Sequence, residues 1–192
     1  MVETYACAEC QDVGQVIWRD EKILTWARRC HHPDPSGRRF GFPIGVWAYS
    51  GDLPQAFHAF VEDHPHSRML LVTGQAKKLQ ADALQVCERL KHLRPRFVDA
   101  MDAPSDFNDQ KGLDGWLMRY SSVGLFVIDS IDRRLRPPQI RAVVDLLHAN
   151  PRAPVILIGD APDRHPDSEP WRALSIEMNR RECRVARYGR GV

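Results

Sequence analysis

The chain divides by its pattern of apolar and polar positions. The clearest stretch is Val123-Gly124-Leu125-Phe126-Val127-Ile128-Asp129-Ser130-Ile131-Asp132, an almost unbroken apolar run, rich in β-branched residues, that ends in carboxylates. A run without alternation fits a strand covered on both faces, as in a parallel sheet under helices. Similar runs are Met69-Leu70-Leu71-Val72-Thr73-Gly74, Arg96-Phe97-Val98-Asp99-Ala100-Met101, Pro154-Val155-Ile156-Leu157-Ile158 and Cys183-Arg184-Val185-Ala186-Arg187-Tyr188. Between them the apolar spacing changes to i, i+3, i+4, i+7. Leu79, Ala83, Val86, Cys87 and Leu90 mark one helix, and Leu113, Trp116, Leu117 and Tyr120 a second. Ile140, Val143, Val144 and Leu147 mark a third, and Leu174 with Met178, after Pro170-Trp171, a fourth. Leu53, Ala56, Phe57, Phe60 and Val61 add a helix before the first strand. Five strands alternating with four helices predict an α/β fold with a parallel, right-handed sheet.

Ahead of this pattern the chain reads differently. Cys7-Ala8-Glu9-Cys10 is a C-x2-C pair, and after nineteen intervening residues comes Cys30-His31-His32. Two short β-like runs, Gln15-Val16-Ile17-Trp18 and Ile23-Leu24-Thr25-Trp26, lie between, with Arg19-Asp20-Glu21-Lys22 as the turn. This is the layout of a zinc ribbon. Zinc takes four tetrahedral thiolate or imidazole ligands, and so short a segment needs the metal to fold. Cys7, Cys10 and Cys30 are three ligands. His32 is preferred as the fourth over the adjacent His31, and the closed site is structural. Trp18 and Trp26 beside Arg28 and Arg29 are candidates for nucleic-acid contact, because aromatics stack bases while arginines hold phosphates. The breaker-rich stretch from Pro33 to Gly45 places a boundary between a unit at 1–43 and an α/β domain at 44–192.

Composition narrows the classes. The 192 residues carry a net charge of only +2, so any nucleic-acid contact must be local. No apolar run approaches the roughly 20 residues of a membrane span. Five cysteines, an odd number, with no visible signal peptide, suit a reducing cytoplasm.

Chemistry is expected beyond the carboxyl ends of the strands. A strand ending in Thr73-Gly74, ahead of a helix with Lys77 and Lys78, is where a phosphate-binding loop belongs. The full pattern, G-x4-G-K-[ST], would put glycine at 79, lysine at 80 and a hydroxyl at 81. The chain has Leu79, Gln80 and Ala81 instead, so the loop is shortened and backbone wrapping of a triphosphate is weakened. Asp129 stands where a magnesium-organising acid would stand. Ser130 takes the place of the second acid, Asp132 is expected to point elsewhere, and Gly159-Asp160 follow the fourth strand.

Taken together, the Cys7-x2-Cys10 and Cys30 unit, the helix before the first strand, Leu70-Leu71-Val72-Thr73-Gly74, Leu125-Phe126-Val127-Ile128-Asp129 and Pro154-Val155-Ile156-Leu157-Ile158 resemble the DnaC/DnaI-type replicative-helicase loaders of the AAA+ superfamily. The resemblance implies a P-loop NTPase-like sheet ordered 5-1-4-3-2, with the zinc unit gripping a replicative helicase or other replication protein. It also implies self-assembly, contact with single-stranded DNA, and a trans-acting arginine at Arg172, Arg180 or Arg181. The phosphate loop and the acid pair depart from the family, which argues against ATP and magnesium as cofactors and against an enzyme. Two other readings stand beside it: an active ATPase using Lys77 or Lys78, and a zinc-ribbon regulator that binds nucleic acid.

Overall fold

The computed structural model describes residues 15–19, 25–29, 40–43, 46, 52–64, 68–106, 108–160 and 168–188. Cys7, Cys10, Cys30, His31 and His32 lie outside them. In the N-terminal unit, β1 (Gln15–Arg19) and β2 (Thr25–Arg29) form an antiparallel pair in which Trp18 is the register partner of Trp26 and Arg28 that of Val16. The second strand thus runs further along the chain than its apolar run suggests. Matching Trp18 to Trp26 carries the ladder out to Arg28 and Arg29, polar positions that an apolar count omits.

The α/β unit comprises α1 (Gln55–Glu62), β3 (Met69–Thr73), α2 (Ala76–Arg89), β4 (Pro95–Asp99), α3 (Gln110–Met118), β5 (Leu125–Ile131), α4 (Pro137–Ala149), β6 (Val155–Gly159), α5 (Glu169–Arg180) and β7 (Arg184–Arg187). The strands pair in parallel in the order β4-β5-β6-β3-β7. Numbered within this unit and read from the β7 edge, the order is 5-1-4-3-2, as the resemblance implies.

Alternation along each strand explains why the runs are apolar throughout. Leu70, Val72, Leu125, Val127, Ile156 and Ile158 belong to a core with α1 and α2, which contribute Phe57, Phe60, Leu79, Ala83 and Val86. Met69, Leu71, Phe126, Ile128, Val155 and Leu157 belong to an opposite core with α3, α4 and α5, built on Trp116, Ile140, Val143, Leu147, Trp171 and Leu174. The sheet is therefore sandwiched between two helical layers.

Two details bear on the sequence-based boundaries. Phe40 and Phe42 are buried in the α1/α2 core, and the Phe42 ring lies 4.6 Å from that of Phe97 on β4. Both stand in the breaker-rich stretch that leads into the α/β unit. The second detail is Arg181, which is 2 % exposed. Its guanidinium donates to Glu177 at 2.6 Å and to the carbonyls of Leu147, Asn150 and Ala153 at 2.7, 3.1 and 2.9 Å. It thus adds a charged donor to carbonyls at and beyond the end of α4, two of which, Leu147 and Asn150, also accept backbone amides. Among the described residues, no helix is long and apolar enough to cross a membrane.

Candidate functional site

Parity along β5 positions the site. Leu125 and Val127 face α2, so Asp129 faces it too. The nearest polar side chain on that helix is Gln80, whose Nε2 donates to Asp129 Oδ2. The other carboxylate oxygen accepts the Ser130 amide at 2.7 Å. Asp129 is 6 % exposed. Burial pushes its carboxyl above the ordinary range, and the hydrogen bonds from Gln80 and Ser130 pull it back only in part. The neighbouring carboxylates Asp99 and Asp132 add to the upward push. Asp99 is the register partner of Asp129 on β4, so two acids lie side by side at adjoining strand ends.

Immediately after Asp129 the strand turns. Ser130 adopts φ 63°, in the left-handed region, and the β5–β6 register shifts between Ile128 and Ile131. A regular strand would send Asp132 to the opposite face, as expected from spacing alone. The bulge brings Asp132 to the same cleft, where Arg134 grips it with contacts of 2.6 and 3.1 Å and holds its carboxyl below the ordinary range. Next door, Gly159 passes so close to Ile131 that a Cβ would lie 2.1 Å from the Ile131 carbonyl oxygen. The Asp160 amide donates to that same oxygen at 2.7 Å.

On the other flank, only Gly74 and Gln75 separate β3 from α2. Gly74 has φ 152°, and a Cβ there would come within 3.0 Å of the Tyr188 carbonyl oxygen, so the exit of β7 closes tightly on this loop. Gln75 gives α2 no side-chain cap. Together these elements line a cleft of about 990 Å³ beyond the carboxyl ends of the strands.

Of the residues singled out by sequence, Thr73, Gly74 and Asp129 line this cleft, as do Ser130, Asp132, Gly159 and Asp160. Lys77 and Lys78 are exposed on the first turn of α2 and do not line it. Trp18, Trp26, Arg28 and Arg29 stand on the hairpin. Arg181, a candidate trans-acting arginine, is instead held in the interior, and Arg180 pairs with Glu177 at 2.7 Å. Gln80, Asp99, Arg134 and Arg187 are among the cleft residues to which sequence reasoning assigned no role. Strand parity marks the face of Asp129, but it does not say which residue of α2 lies opposite. For Gln80, the signal in sequence was only that it occupies the position of a missing lysine.

The architecture is an α/β fold with a five-stranded parallel sheet between helices. Its strand order and the place of Asp129 at the end of β5 are consistent with a P-loop NTPase-like fold. No model of a protein family matches the sequence, and no curated protein matches it. Among solved structures, the chain is similar to the crystal structure of DnaI at 11% identity, covering 71% of this chain and 80% of that one, with a TM-score of 0.44. It is also similar to a crystal structure of Bacteroides sp Pif1 in complex with ADP-AlF4 at 14% identity and a TM-score of 0.33, covering 68% of this chain and 37% of that one.

The cleft departs from the full phosphate-loop pattern in length, side chains and charge. A two-residue loop offers far fewer backbone N–H groups to a triphosphate than the full pattern would. A neutral amide occupies the position where a lysine would face the phosphates. The lining carries four carboxylates (Asp99, Asp129, Asp132 and Asp160) against two guanidinium groups (Arg134 and Arg187), a sign that opposes an anion. Among the described residues, no group of three or more His, Cys, Asp or Glu is arranged to hold a metal ion.

Proposed function

We propose that this chain is a replication-associated, AAA+-like protein that acts by binding a replicative helicase or related partner and no longer hydrolyses ATP. The observation that carries the reading is the two-residue turn between β3 and α2, which leaves Gln80 rather than a lysine on Asp129. Gln80 occupies Asp129 with a neutral donor, so the acid is satisfied without a cation and the position of the missing lysine carries no charge. The active-ATPase reading loses support from the exposure of Lys77 and Lys78 outside the cleft. The family resemblance supplies the partner class, and the N-terminal unit, with zinc on Cys7, Cys10, Cys30 and His32, is the proposed contact to it. In this reading the protein works in the cytoplasm.

Calorimetry with ATP and magnesium, run beside metal analysis of the same sample, tests it. The expected result is one zinc per chain and no saturable heat of nucleotide binding. Tight binding with turnover lost in Asp129→Ala would overturn the ATPase-defective reading.

A second reading is favoured by the hairpin register. Pairing Trp18 with Trp26 brings two aromatic residues together on a strand pair that also carries Arg28 and Arg29. If the hairpin binds single strands, Trp18→Ala should weaken binding to a dT oligonucleotide, and affinity should fall with salt. Unchanged affinity in that variant would remove this reading.

A further inference from the structure

We propose that the groove between α3 and α4 docks a basic, amphipathic helix of a partner protein. The groove measures about 570 Å³ and lies on the α3/α4/α5 side of the sheet. Leu113 and Leu117 on α3, four residues apart and hence on one helix face, form one wall; Pro138 and Ala142 on α4, spaced the same way, form the other. Leu113 and Leu117 are only partly buried by the core that they flank. The groove therefore has an apolar floor that the chain's own packing leaves incompletely covered. Its length follows α3, whose nine residues rise about 13 Å, matching two to three turns of an incoming helix.

Charge selects the occupant. Asp106, Asp109 and Asp145 line the groove against the single cation Arg141, whereas the whole chain carries +2. An excess of carboxylates around an apolar floor, on a weakly basic protein, suits lysine or arginine flanking apolar anchors and disfavours an acidic segment or a nucleic-acid backbone. Burial already pushes the Asp145 carboxyl upward, with Arg141 and His148 only partly opposing it, so an arriving cation gains a poorly solvated partner. The walls are also set in advance. The Gln139 side chain at the start of α4 accepts from the Arg136 amide at 2.9 Å and donates to the Met101 carbonyl at 2.7 Å, tying α4 to the chain that leads into α3. Asp109 Oδ1 caps α3 through the Gly112 amide at 2.8 Å. Little ordering remains to be done on binding, which favours affinity. This inference is independent of the nucleotide cleft.

The test is a random 12-residue peptide display library panned on the full chain, with recovered peptides titrated by fluorescence anisotropy against the wild type, Asp106→Lys and Asp145→Asn. Asp106 is exposed, so its substitution leaves the fold intact, which circular dichroism verifies. Recovered peptides should combine Lys or Arg with apolar anchors at i, i+3 or i+4 spacing, and both variants should weaken them about tenfold. Four outcomes would overturn the proposal: recovery of no peptides or of acidic ones; affinities indifferent to both substitutions; self-association of the chain abolished by Asp106→Lys, which would mean a second copy fills the groove; or oligonucleotide binding that Asp106→Lys weakens.

Discussion

Gln80 is the residue on which the character of the cleft turns. Its amide is a neutral donor to a carboxylate that burial and two neighbouring acids disfavour as an anion. Removing it leaves Asp129 with the Ser130 amide as its remaining hydrogen-bond donor. Gln80→Ala should therefore destabilise the fold by about 2 kcal/mol near neutral pH, the range for a hydrogen bond to a charged group. The sign with pH follows from linkage. Gln80 favours the ionised form, so its loss raises the folded-state pKa of Asp129 further. The penalty is full where Asp129 is ionised and shrinks as pH falls through that raised value. Urea titrations of both proteins at several pH values would check this, and a penalty independent of pH would show that the amide serves packing alone. Sequence located Asp129 at a strand end but misjudged Asp132, because the left-handed turn at Ser130 obeys neither helical nor strand periodicity. No residue type announces it: serine is neither glycine nor asparagine, the usual occupants of such a conformation.

At the scale of elements, α4 and α5 are locked by a buried ion group. Burial pulls the Glu177 carboxyl upward, but hydrogen bonds from Arg180 and Arg181 outweigh it and hold the group down at about 2. A carboxylate depressed in the folded state contributes stability above its unfolded value, and the contribution disappears as pH falls from about 4.5 towards 2. Glu177→Gln should flatten the acid limb of a stability–pH profile in that window. Arg181→Ala should cost roughly 3 kcal/mol at neutral pH, because it removes the buried partner of Glu177, leaving the half-exposed Arg180, and the charged donor to three carbonyls. Chemical denaturation measures both, and a loss below 1 kcal/mol for Arg181→Ala would mean that water replaces the guanidinium. The helices themselves were legible from the spacing of Ile140, Val143 and Leu147 and of Leu174 and Met178. The interior position of Arg181 was not, since an arginine after a helix reads by default as solvated.

For the molecule as a whole, two cores lie on the two faces of one sheet. The central strands β3, β5 and β6 could be recognised because both faces are covered and nearly every position is apolar. The burial of Phe40 and Phe42 could not, because they sit among glycines and prolines, where a breaker count reads linker. Phe42→Ala should remove about 3 kcal/mol of stability, as expected for emptying a buried aromatic site against the Phe97 ring. Thermal and urea unfolding would check it, and an unchanged midpoint would mean that the Phe42 ring adds nothing to the packing.

The grip of Phe42 on Phe97 also has a mechanical side. Phe97 lies two residues before Asp99, and Asp99 adjoins Asp129 across the β4–β5 pair. The chain from the N-terminal unit is therefore hitched to the outermost strand close to the rim of the cleft. A force on the chain at Phe42 is delivered first to β4, at the acid-bearing edge of the sheet, with α2 and α4 braced on opposite faces.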